Sequence, residues 1–343
     1  RKEGRKEGRK GGREGGSNHF NPIPDTWHKM TDILLFWAAK GIDGFRCDMA
    51  EMVPHEFWKY ATEKVKAQYP HIVFIGEVYD PNQYRKYIAA GFDYLYDKVG
   101  MYDCLRDVMC EHRSANDITR QWQATDDISK HVLYFLENHD EQRIASNFFC
   151  GNMQKGIPAL IVAALFQCNP IMIYAGQEFG EKGMDGEGFS GIDGRSTIFD
   201  YWSIDAIRKG FFERSKLSAE QVQLEKEYRK ILTLCNSEKA ISNGKTFDLM
   251  YANETNDAFD SNKQFAFLRS SNNTTLLIVA NFSKTEAHIR VNIPAHAFDY
   301  MEIKEGKKNM VDLLSGNHQS VVLQKDSSIE IVIPALNGRV YKF

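Results

Sequence analysis

The feature that most constrains the fold is an alternation of helical and strand patterns from about residue 24 to residue 181. Short β-branched runs, among them HIVFIGEVYD at 71 to 80 and HVLYFLENHD at 131 to 140, follow stretches with apolar residues at helical spacing. A repeat of helix and strand predicts a parallel sheet with helices packed on its faces.

From about Ala240 the pattern changes to short strands separated by Asn, Asp, Gly and Ser, the first of them QFAFLRSS at 264 to 271. This change predicts an antiparallel β-sandwich of about a hundred residues. We therefore expect three parts: a disordered, charged and glycine-rich tail over residues 1 to 19, an α/β part over 20 to 239, and the sandwich over 240 to 343.

Composition excludes several classes of protein. The net charge of −3 argues against nucleic acid as a partner. No apolar run approaches the roughly 20 residues that span a bilayer, so we expect a soluble protein with no membrane span; the compartment stays open. The six cysteines lack CxxC spacing, which argues against zinc and against a disulfide framework, and we expect most of them to be buried thiols.

The stretch GIDGFRCDMA, residues 41 to 50, has the form of a strand that ends in charged residues. Arg46 and Asp48 are two residues apart, so in a strand they point to the same face. An arginine beside an aspartate keeps the carboxylate ionised, which suits a carboxylate nucleophile. An ordinary ion pair at a strand end is the alternative.

Three predicted parallel strands end in acidic residues, namely Asp48, Glu77 and Asp140. Functional groups of a parallel β/α barrel gather at the carboxyl ends of its strands, so we expect these three carboxyls to converge. Such a cluster could bind a hard metal ion or act as a set of glycosidase carboxylates. Arg46 and His139 are poor partners for calcium or magnesium, and they favour sugar chemistry.

Three motifs in order make the chain resemble the retaining α-amylase family of glycoside hydrolases. GFRCDMA resembles the family's fourth-strand motif, GEVYD resembles its fifth-strand motif, and ENHD resembles its seventh-strand motif. The resemblance implies an incomplete (β/α)8 TIM barrel, strands four to eight, within residues 20 to 236, followed by the β-sandwich.

The resemblance also implies roles for the residues of the first two motifs. Asp48 would be the nucleophile that forms a covalent glucosyl intermediate, and Arg46 would hold it ionised. Glu77 would be the general acid and then the base that activates water. Retention requires the carboxyls of Asp48 and Glu77 to lie roughly 5 to 5.5 Å apart.

The third motif would bind the sugar. The resemblance implies that Asp140 and His139 contact glucose hydroxyls and that Asn138 orients this pair. Gln177 and Glu178 follow the last predicted barrel strand and are weaker candidates for the rim of the site.

Aromatic residues near these motifs are candidates for stacking on glucose rings. We assign Tyr79 to substrate binding, and Tyr94 and Tyr96 could stack in the same way. Core packing is the better interpretation for Trp58 and Trp122.

The chain departs from the family pattern in two places. Glu51 and Met52 stand where common endo-acting amylases have Lys-His, so the chain looks closer to neopullulanase or cyclodextrin-degrading members. The first three barrel strands and an Asn-His motif have no counterpart. We therefore expect a C-terminal portion of a longer amylase that is inactive alone. No metal ligand is assigned, and calcium is expected only in a full-length parent protein.

The resemblance implies a parent protein that hydrolyses α-1,4-glucosidic bonds of starch-derived glucans, with an α-glucan oligosaccharide or polysaccharide as its partner. A transglycosylase or α-glucosidase on the same site is one alternative. A non-catalytic glucan-binding fragment, with the sandwich as the binding part, is the other.

Overall fold

The computed structural model describes residues 20 to 185 and 192 to 343, apart from the side chain of Trp202. The predicted tail over 1 to 19 lies outside the described residues. The chain divides into two compact units, the first ending at Asp97 and the second beginning at Lys98. The predicted boundary near residue 240 stays a prediction.

The first unit alternates helices with three parallel strands, as the sequence predicts. In β1/β2, Gly44 pairs with Val73, and in β2/β3, Ile75 pairs with Tyr94. The elements are α1 (Asp25–Ala38), β1 (Gly44–Cys47), a 3₁₀ turn (Ala50–Met52), α2 (His55–Gln68), β2 (Val73–Gly76), a 3₁₀ turn (Pro81–Gln83), α3 (Tyr84–Ala89) and β3 (Tyr94–Tyr96).

Gly44 lets strands β1 and β2 approach each other closely. A Cβ atom at this position would lie only 2.4 Å from the Val73 carbonyl oxygen, so a larger residue would push the strands apart. Phe74 and Phe92 are fully buried beside this pair of strands. Trp58 packs on Phe92 and donates its Nε1–H to the Ala50 carbonyl at 3.0 Å. Core packing of Trp58 is therefore confirmed.

The spacing of apolar residues from Pro24 to Lys40 predicts a helix with an apolar stripe, and this stripe is only partly buried. The helix forms over Asp25–Ala38, and Trp27 packs on Phe20 and Phe57. The buried residues of the helix are the small ones, Thr31 and Ala38, while its exposed large apolar residues are Met30, Ile33, Phe36 and Trp37.

The second unit begins with helices and two further parallel strands. Tyr134 in β4 pairs with Ile171 in β5. The elements are a π-helical turn (Lys98–Tyr102), α4 (Asp103–Met109), α5 (Asp117–Ala124), a 3₁₀ segment (Asp126–His131), β4 (Val132–Phe135), a 3₁₀ turn (Met153–Lys155), α6 (Gly156–Leu165) and β5 (Ile171–Met172).

The run PIMIYAGQEFGE, residues 170 to 181, predicts a strand that runs into a loop, and strand β5 covers only Ile171–Met172 of this run. Gly176 has a φ of 92°, a left-handed conformation that glycine adopts without steric cost, and it turns the chain away from the strand direction. A 3₁₀ turn, Gln177–Phe179, follows directly.

The rest of the second unit contains helices and antiparallel strands. The elements are a 3₁₀ turn (Tyr201–Ser203), α7 (Asp205–Phe212), a 3₁₀ turn (Arg214–Lys216), α8 (Ala219–Ser237), α9 (Lys239–Ser242), β6 (Lys245–Asp248), α10 (Met250–Asn253), β7 (Gln264–Ser271), β8 (Thr274–Asn281), β9 (Ala287–Ile293), α11 (Ala295–Met301), β10 (Gly306–Asp312), β11 (His318–Leu323), β12 (Ser327–Ile333) and β13 (Asn337–Lys342).

These strands form a six-stranded sheet in the order β11-β10-β13-β8-β7-β6 and a separate pair, β12-β9. The predicted antiparallel strands are confirmed, and β7 has its predicted bounds. Five helices and strands of this part were not predicted, namely β6, α7, α9, α10 and α11. Each of these elements is short, so its apolar residues are too few to show a clear helical or strand period.

Arg269 on β7 joins the antiparallel sheet to the helices of the second unit. Its guanidinium is fully buried and donates to the carbonyls of Leu165 at 2.9 Å and Ile241 at 2.8 Å. Both carbonyls lie at or near helix ends, where backbone oxygens lack partners within the helix. Arg269 therefore satisfies acceptors that would otherwise be buried without a donor.

The expectation that most cysteines are buried is wrong. All six are free thiols; Cys47 and Cys104 are buried, Cys168 is exposed, and the other three are half-buried.

Candidate active site

Two candidate catalytic carboxyls follow neighbouring strand ends in the first unit. Asp48 comes directly after β1, and Glu77 comes directly after β2. The backbone N–H of Glu77 donates to the Cys47 carbonyl at 3.1 Å, which keeps the two strand ends in register. The backbone N–H of Met49 donates to Glu77 Oε2 at 2.8 Å. The pairing of β1 with β2 thus brings both carboxyls to one sheet edge.

Arg46 contacts both carboxylates with one guanidinium group. Its Nη1 lies 2.6 Å from Asp48 Oδ1, and its Nη2 lies 3.4 Å from Glu77 Oε2. The Asp48 side chain is 70% exposed, whereas the Glu77 side chain is only 10% exposed. One carboxylate is therefore open to an approaching molecule and the other is enclosed. An isolated ion pair, the alternative for Arg46 and Asp48, does not describe this arrangement.

The charged state of Arg46 is favoured by its partners. Burial alone would lower the pKa of Arg46, but the hydrogen bond to Asp48 and the negative charge of Glu77 outweigh burial and raise it. The Tyr96 ring packs beside the guanidinium, with 5.9 Å between the ring centroid and Cζ. Burial raises the pKa of Tyr96, and Arg46 opposes this effect. Tyr96 therefore stays a neutral support for Arg46.

Glu51 links the loops that follow β1 and β2. Its Oε2 accepts the backbone N–H of Asp80 at 3.2 Å, and its own carbonyl accepts the Tyr87 hydroxyl at 3.1 Å. Tyr79, assigned to substrate binding, is half-buried in the same loop, two residues after Glu77. Glu51 thereby helps to fix the backbone that carries Tyr79. The sequence marked Glu51 only as a departure from the family pattern.

The third motif lies in the second unit, directly after β4. Asn138 is buried, and its Oδ1 accepts the backbone N–H groups of Asp140 at 2.9 Å and Glu141 at 2.8 Å. His139 Nε2 lies 3.3 Å from Asp140 Oδ2, and both side chains are partly exposed. Asn138 therefore fixes a turn that presents a histidine and an aspartate to solvent.

A buried ion pair joins the residues before and after this turn. Arg143 and Glu137 are almost completely inaccessible to solvent, and Arg143 Nη1 lies 2.8 Å from Glu137 Oε2. The backbone N–H of Ile144 donates to Glu137 Oε1 at 2.8 Å. Glu137 thus binds residues on the far side of the turn, and it restricts where Asn138 can lie.

Arg143 also binds two other parts of the second unit. Its Nη2 donates to the Ala175 carbonyl at 2.8 Å, its Nε donates to Ser196 Oγ at 2.9 Å, and its guanidinium stacks over the Tyr174 ring. Sequence reasoning missed Glu137 and Arg143. The available signal was an acid directly before Asn-His-Asp and an arginine shortly after it, at the point where the apolar run of strand β4 ends.

The remaining sequence candidates have structural contacts. Gln177 is buried, and its Nε2 donates to the Tyr228 hydroxyl at 3.0 Å. Glu178 Oε2 accepts the backbone N–H of Gly176 at 3.1 Å. The ring of Trp122 packs on Phe166 with 4.9 Å between centroids. Gln177 is therefore a buried residue that positions the local backbone rather than an exposed residue on the rim of a site.

The motif residues thus fall in two groups, Arg46, Asp48, Glu77 and Tyr79 in the first unit and Asn138, His139 and Asp140 in the second. That the three carboxyls share one site stays a prediction. Within the described ranges, no group of three or more His, Cys, Asp or Glu side chains is placed to hold a metal ion. No helix in that part of the chain is long and apolar enough to cross a membrane.

Comparison with known proteins agrees with the parallel strands and the antiparallel sheet. Residues 23 to 289 match the family model described as alpha amylase, catalytic domain. Residues 256 to 343 match the model described as alpha amylase, C-terminal all-beta domain. The chain belongs to the alpha-amylase family, and its fold is alpha-amylase-like with a C-terminal all-beta domain. The numbering of its parallel strands as four to eight stays a prediction.

Relatives include hydrolases with different names. Alpha-amylase 3 of Dictyoglomus thermophilum is 24% identical over 328 residues, which cover 88% of this chain and 62% of the relative. A cyclomaltodextrinase of Geobacillus thermopakistaniensis is 23% identical over 300 residues, covering 85% and 44%. The crystal structure of an Anoxybacillus alpha-amylase superposes with a TM-score of 0.69 at 19% identity, covering 93% of this chain and 63% of that chain. The chain therefore spans less than two thirds of the length of these relatives.

Proposed function

We propose that the protein, in its full-length form, hydrolyses α-1,4-glucosidic bonds of starch-derived glucans with retention of anomeric configuration. The observation that carries this proposal is the shared guanidinium of Arg46, with contacts of 2.6 Å to Asp48 and 3.4 Å to Glu77. A double displacement needs two carboxyls in different protonation states on either side of one bond. The unequal exposure of Asp48 and Glu77 supports such a division of roles.

In the first step, a carboxylate oxygen of Asp48 attacks the anomeric carbon, and the bond from that carbon to the leaving oxygen breaks. Glu77 donates a proton to the leaving oxygen. Arg46 stabilises the Asp48 carboxylate before attack and the charge that returns to it afterwards.

In the second step, Glu77 removes a proton from a water molecule whose oxygen attacks the anomeric carbon. The bond to Asp48 breaks, and the proton remains on Glu77, which restores the acid for the next cycle. Each of the two displacements inverts the configuration at the anomeric carbon, so the product keeps the α configuration.

We assign glucose binding to Asp140 and His139, whose side chains are partly exposed on the turn held by Asn138. Hydrogen bonds from such groups to sugar hydroxyls strengthen as the ring flattens in the transition state. Tyr79 offers a half-buried ring for stacking on a glucose unit. The names of the relatives, an alpha-amylase and a cyclomaltodextrinase, support a glucan substrate.

The test measures hydrolysis of a blocked maltoheptaoside with a chromogenic leaving group. It uses the 343-residue chain and a chimaera in which the N-terminal portion of the Dictyoglomus enzyme precedes Phe20. We expect the chimaera to release the α-anomer first, as followed by NMR. Asp48→Asn should abolish this activity. Asp43→Asn is the matched control, because Asp43 is an exposed aspartate just before β1.

Activity that survives Asp48→Asn, a β-anomeric first product, or a folded chimaera without activity would contradict the proposal. Sugar in place of water as the acceptor would assign a transglycosylase on the same site. Hydrolysis by the 343-residue chain alone would contradict the expectation that this chain is inactive without further barrel strands.

A further inference from the structure

Two half-buried cysteines of the second unit face each other. The Sγ atoms of Cys110 and Cys150 are 3.5 Å apart, although the residues are 40 positions apart in sequence. Cys110 follows the last turn of α4, and its N–H donates to the Arg106 carbonyl at 3.0 Å. Cys150 lies in the loop that follows Asp140, and its N–H donates to the Ile144 carbonyl at 3.1 Å. Backbone hydrogen bonds therefore hold the main chain of both cysteines in place.

Arg106 fastens the loop of Cys150 to the helix that precedes Cys110. Its guanidinium lies over the Phe149 ring, 4.2 Å from the centroid. Its Nη2 donates to Gln142 Oε1 at 2.7 Å and to the Phe148 carbonyl at 3.2 Å. Cys110 Sγ also donates to the Phe149 carbonyl at 3.5 Å. These contacts hold the loop of Cys150 against helix α4.

The surroundings make Cys110 the more acidic thiol. The hydrogen bond from Cys150 lowers the pKa of Cys110 to about 7; burial opposes this, and Arg106, His112 and Lys155 add to it. The same hydrogen bond, together with burial, raises the pKa of Cys150. The nearby Glu111 carboxylate lies 2.8 Å from Lys284 and 3.9 Å from Lys155. Cations therefore balance the charge of Glu111.

We propose that Cys110 and Cys150 are a reversible disulfide site, oxidised by low-molecular-weight disulfides such as oxidised glutathione. The sulfurs need to move from 3.5 Å to the bonding distance of about 2 Å, within reach of side-chain rotation and a small loop shift.

The reaction is a pair of thiol–disulfide exchanges. The Cys110 thiolate attacks one sulfur of the small disulfide, which releases one small thiolate and leaves a mixed disulfide on Cys110. The Cys150 thiol loses its proton to solvent and attacks the Cys110 sulfur, which releases the second small thiolate. Two protein thiols are oxidised by two electrons, and the small disulfide is reduced to two thiols.

The disulfide would tie the loop that follows Asn138, His139 and Asp140 to helix α4. A link across 40 residues restricts the unfolded chain and stabilises the folded second unit. It would also limit opening of the loop that begins at the candidate sugar-binding turn. Formation of this disulfide does not depend on the proposed glucan activity.

The test uses the full chain, equilibrated in glutathione buffers of graded ratio, with free thiols then blocked by iodoacetamide. After trypsin, we expect peptide 107–113, which contains Cys110, to be linked to peptide 144–155, which contains Cys150. The oxidised chain should unfold at a temperature roughly 5 °C higher than the reduced chain. Cys150→Ser should abolish the linked peptide and the shift, and Cys168→Ser, at an exposed cysteine, should change neither.

Alkylation of the reduced chain tests the order of attack. At pH 7, Cys110 should react faster than Cys150, and Cys150→Ala should slow Cys110 roughly tenfold because alanine has no group that could donate a hydrogen bond to the Cys110 thiolate. A disulfide between other cysteines, two free thiols in fully oxidised glutathione, or a mixed disulfide on Cys110 that Cys150 never resolves would each overturn the proposal.

Discussion

The backbone N–H of Met49 donates a 2.8 Å hydrogen bond to Glu77 Oε2, so the residue after one candidate catalytic carboxyl binds the other. Met49 has a φ of 46°, a left-handed conformation that is uncommon for a residue with a side chain. This conformation strains the backbone by an energy of order 1 kcal/mol or more. It also points the Met49 amide at Glu77. The enclosed carboxyl is thereby held by backbone as well as by Arg46.

We expect Arg46→Lys to reduce kcat/KM of an active chimaera by about 10²-fold or more. A lysine presents one compact ammonium group and cannot contact Asp48 and Glu77 with two separate nitrogens. Initial rates on the blocked maltoheptaoside measure the change. Arg120→Lys, at a side chain that is 78% exposed, should leave the rate unchanged. Equal rates for Arg46→Lys and the parent chain would contradict a role for the shared guanidinium.

We expect Glu77→Gln to reduce kcat/KM on an unactivated maltooligosaccharide by about 10²- to 10⁴-fold, because the leaving oxygen loses its proton donor. A dinitrophenyl maltoside needs little acid assistance, so the covalent intermediate should form and wait for a base. Azide needs no base and should restore turnover, giving an α-glycosyl azide. Glu56→Gln, at a half-exposed glutamate that starts α2, is the control. Failure of azide to restore turnover would argue against Glu77 as the acid and base.

We expect Arg143→Met to destabilise the second unit by about 3 to 5 kcal/mol, because Glu137 would stay buried without its cation. Burial raises the pKa of Glu137, and Arg143 opposes this effect. Without Arg143 the carboxyl should bind a proton more readily, so the loss should be smaller at low pH.

Urea unfolding at pH 5 and pH 7 measures this loss. The double variant Glu137→Leu with Arg143→Met should be less destabilised than the sum of the single variants. Additive losses would show that the pair is not coupled. Arg229→Met, at a side chain that is 72% exposed on α8, provides the control.

The stability of the second unit should depend on pH through Asp248. Its Oδ2 accepts the Thr119 hydroxyl at 2.6 Å and its Oδ1 accepts the Met250 N–H at 2.7 Å, but burial outweighs both and raises the pKa of Asp248. A raised pKa means that the folded state binds the proton more tightly than the unfolded state. The stabilising contribution is therefore complete below the unfolded pKa and is lost as pH rises through the folded pKa.

Asp248→Asn removes this titration and keeps a similar shape. The variant should therefore gain stability relative to the parent chain as pH rises from 4 to 7, as measured by urea unfolding. Asp257→Asn, at an exposed aspartate in the same unit, should show no such trend. A constant difference between Asp248→Asn and the parent chain would contradict the raised pKa.

Sequence patterns predicted most of the strands because each strand is marked by its own residues. The run over 264 to 271 is strand β7 with the predicted bounds, and Asp48 and Glu77 follow their strands directly, as expected. Patterns failed where a nearby glycine or a short element decided the conformation. Strand β5 covers only Ile171–Met172 of the strand and loop predicted over residues 170 to 181, and helix α7 was not predicted.

The sequence by itself determined the order of the elements, the family and the positions of the strand-end carboxyls, since periodicity and motifs are local properties. Only the tertiary structure decided that Arg46 contacts Glu77 as well as Asp48, that Glu137 is buried with Arg143, and that Cys110 faces Cys150. The contacts of Arg46 with Glu77 and of Cys110 with Cys150 join residues far apart in the chain. The burial of Glu137 and Arg143 depends on segments that pack around them, so packing rather than local pattern fixes these features.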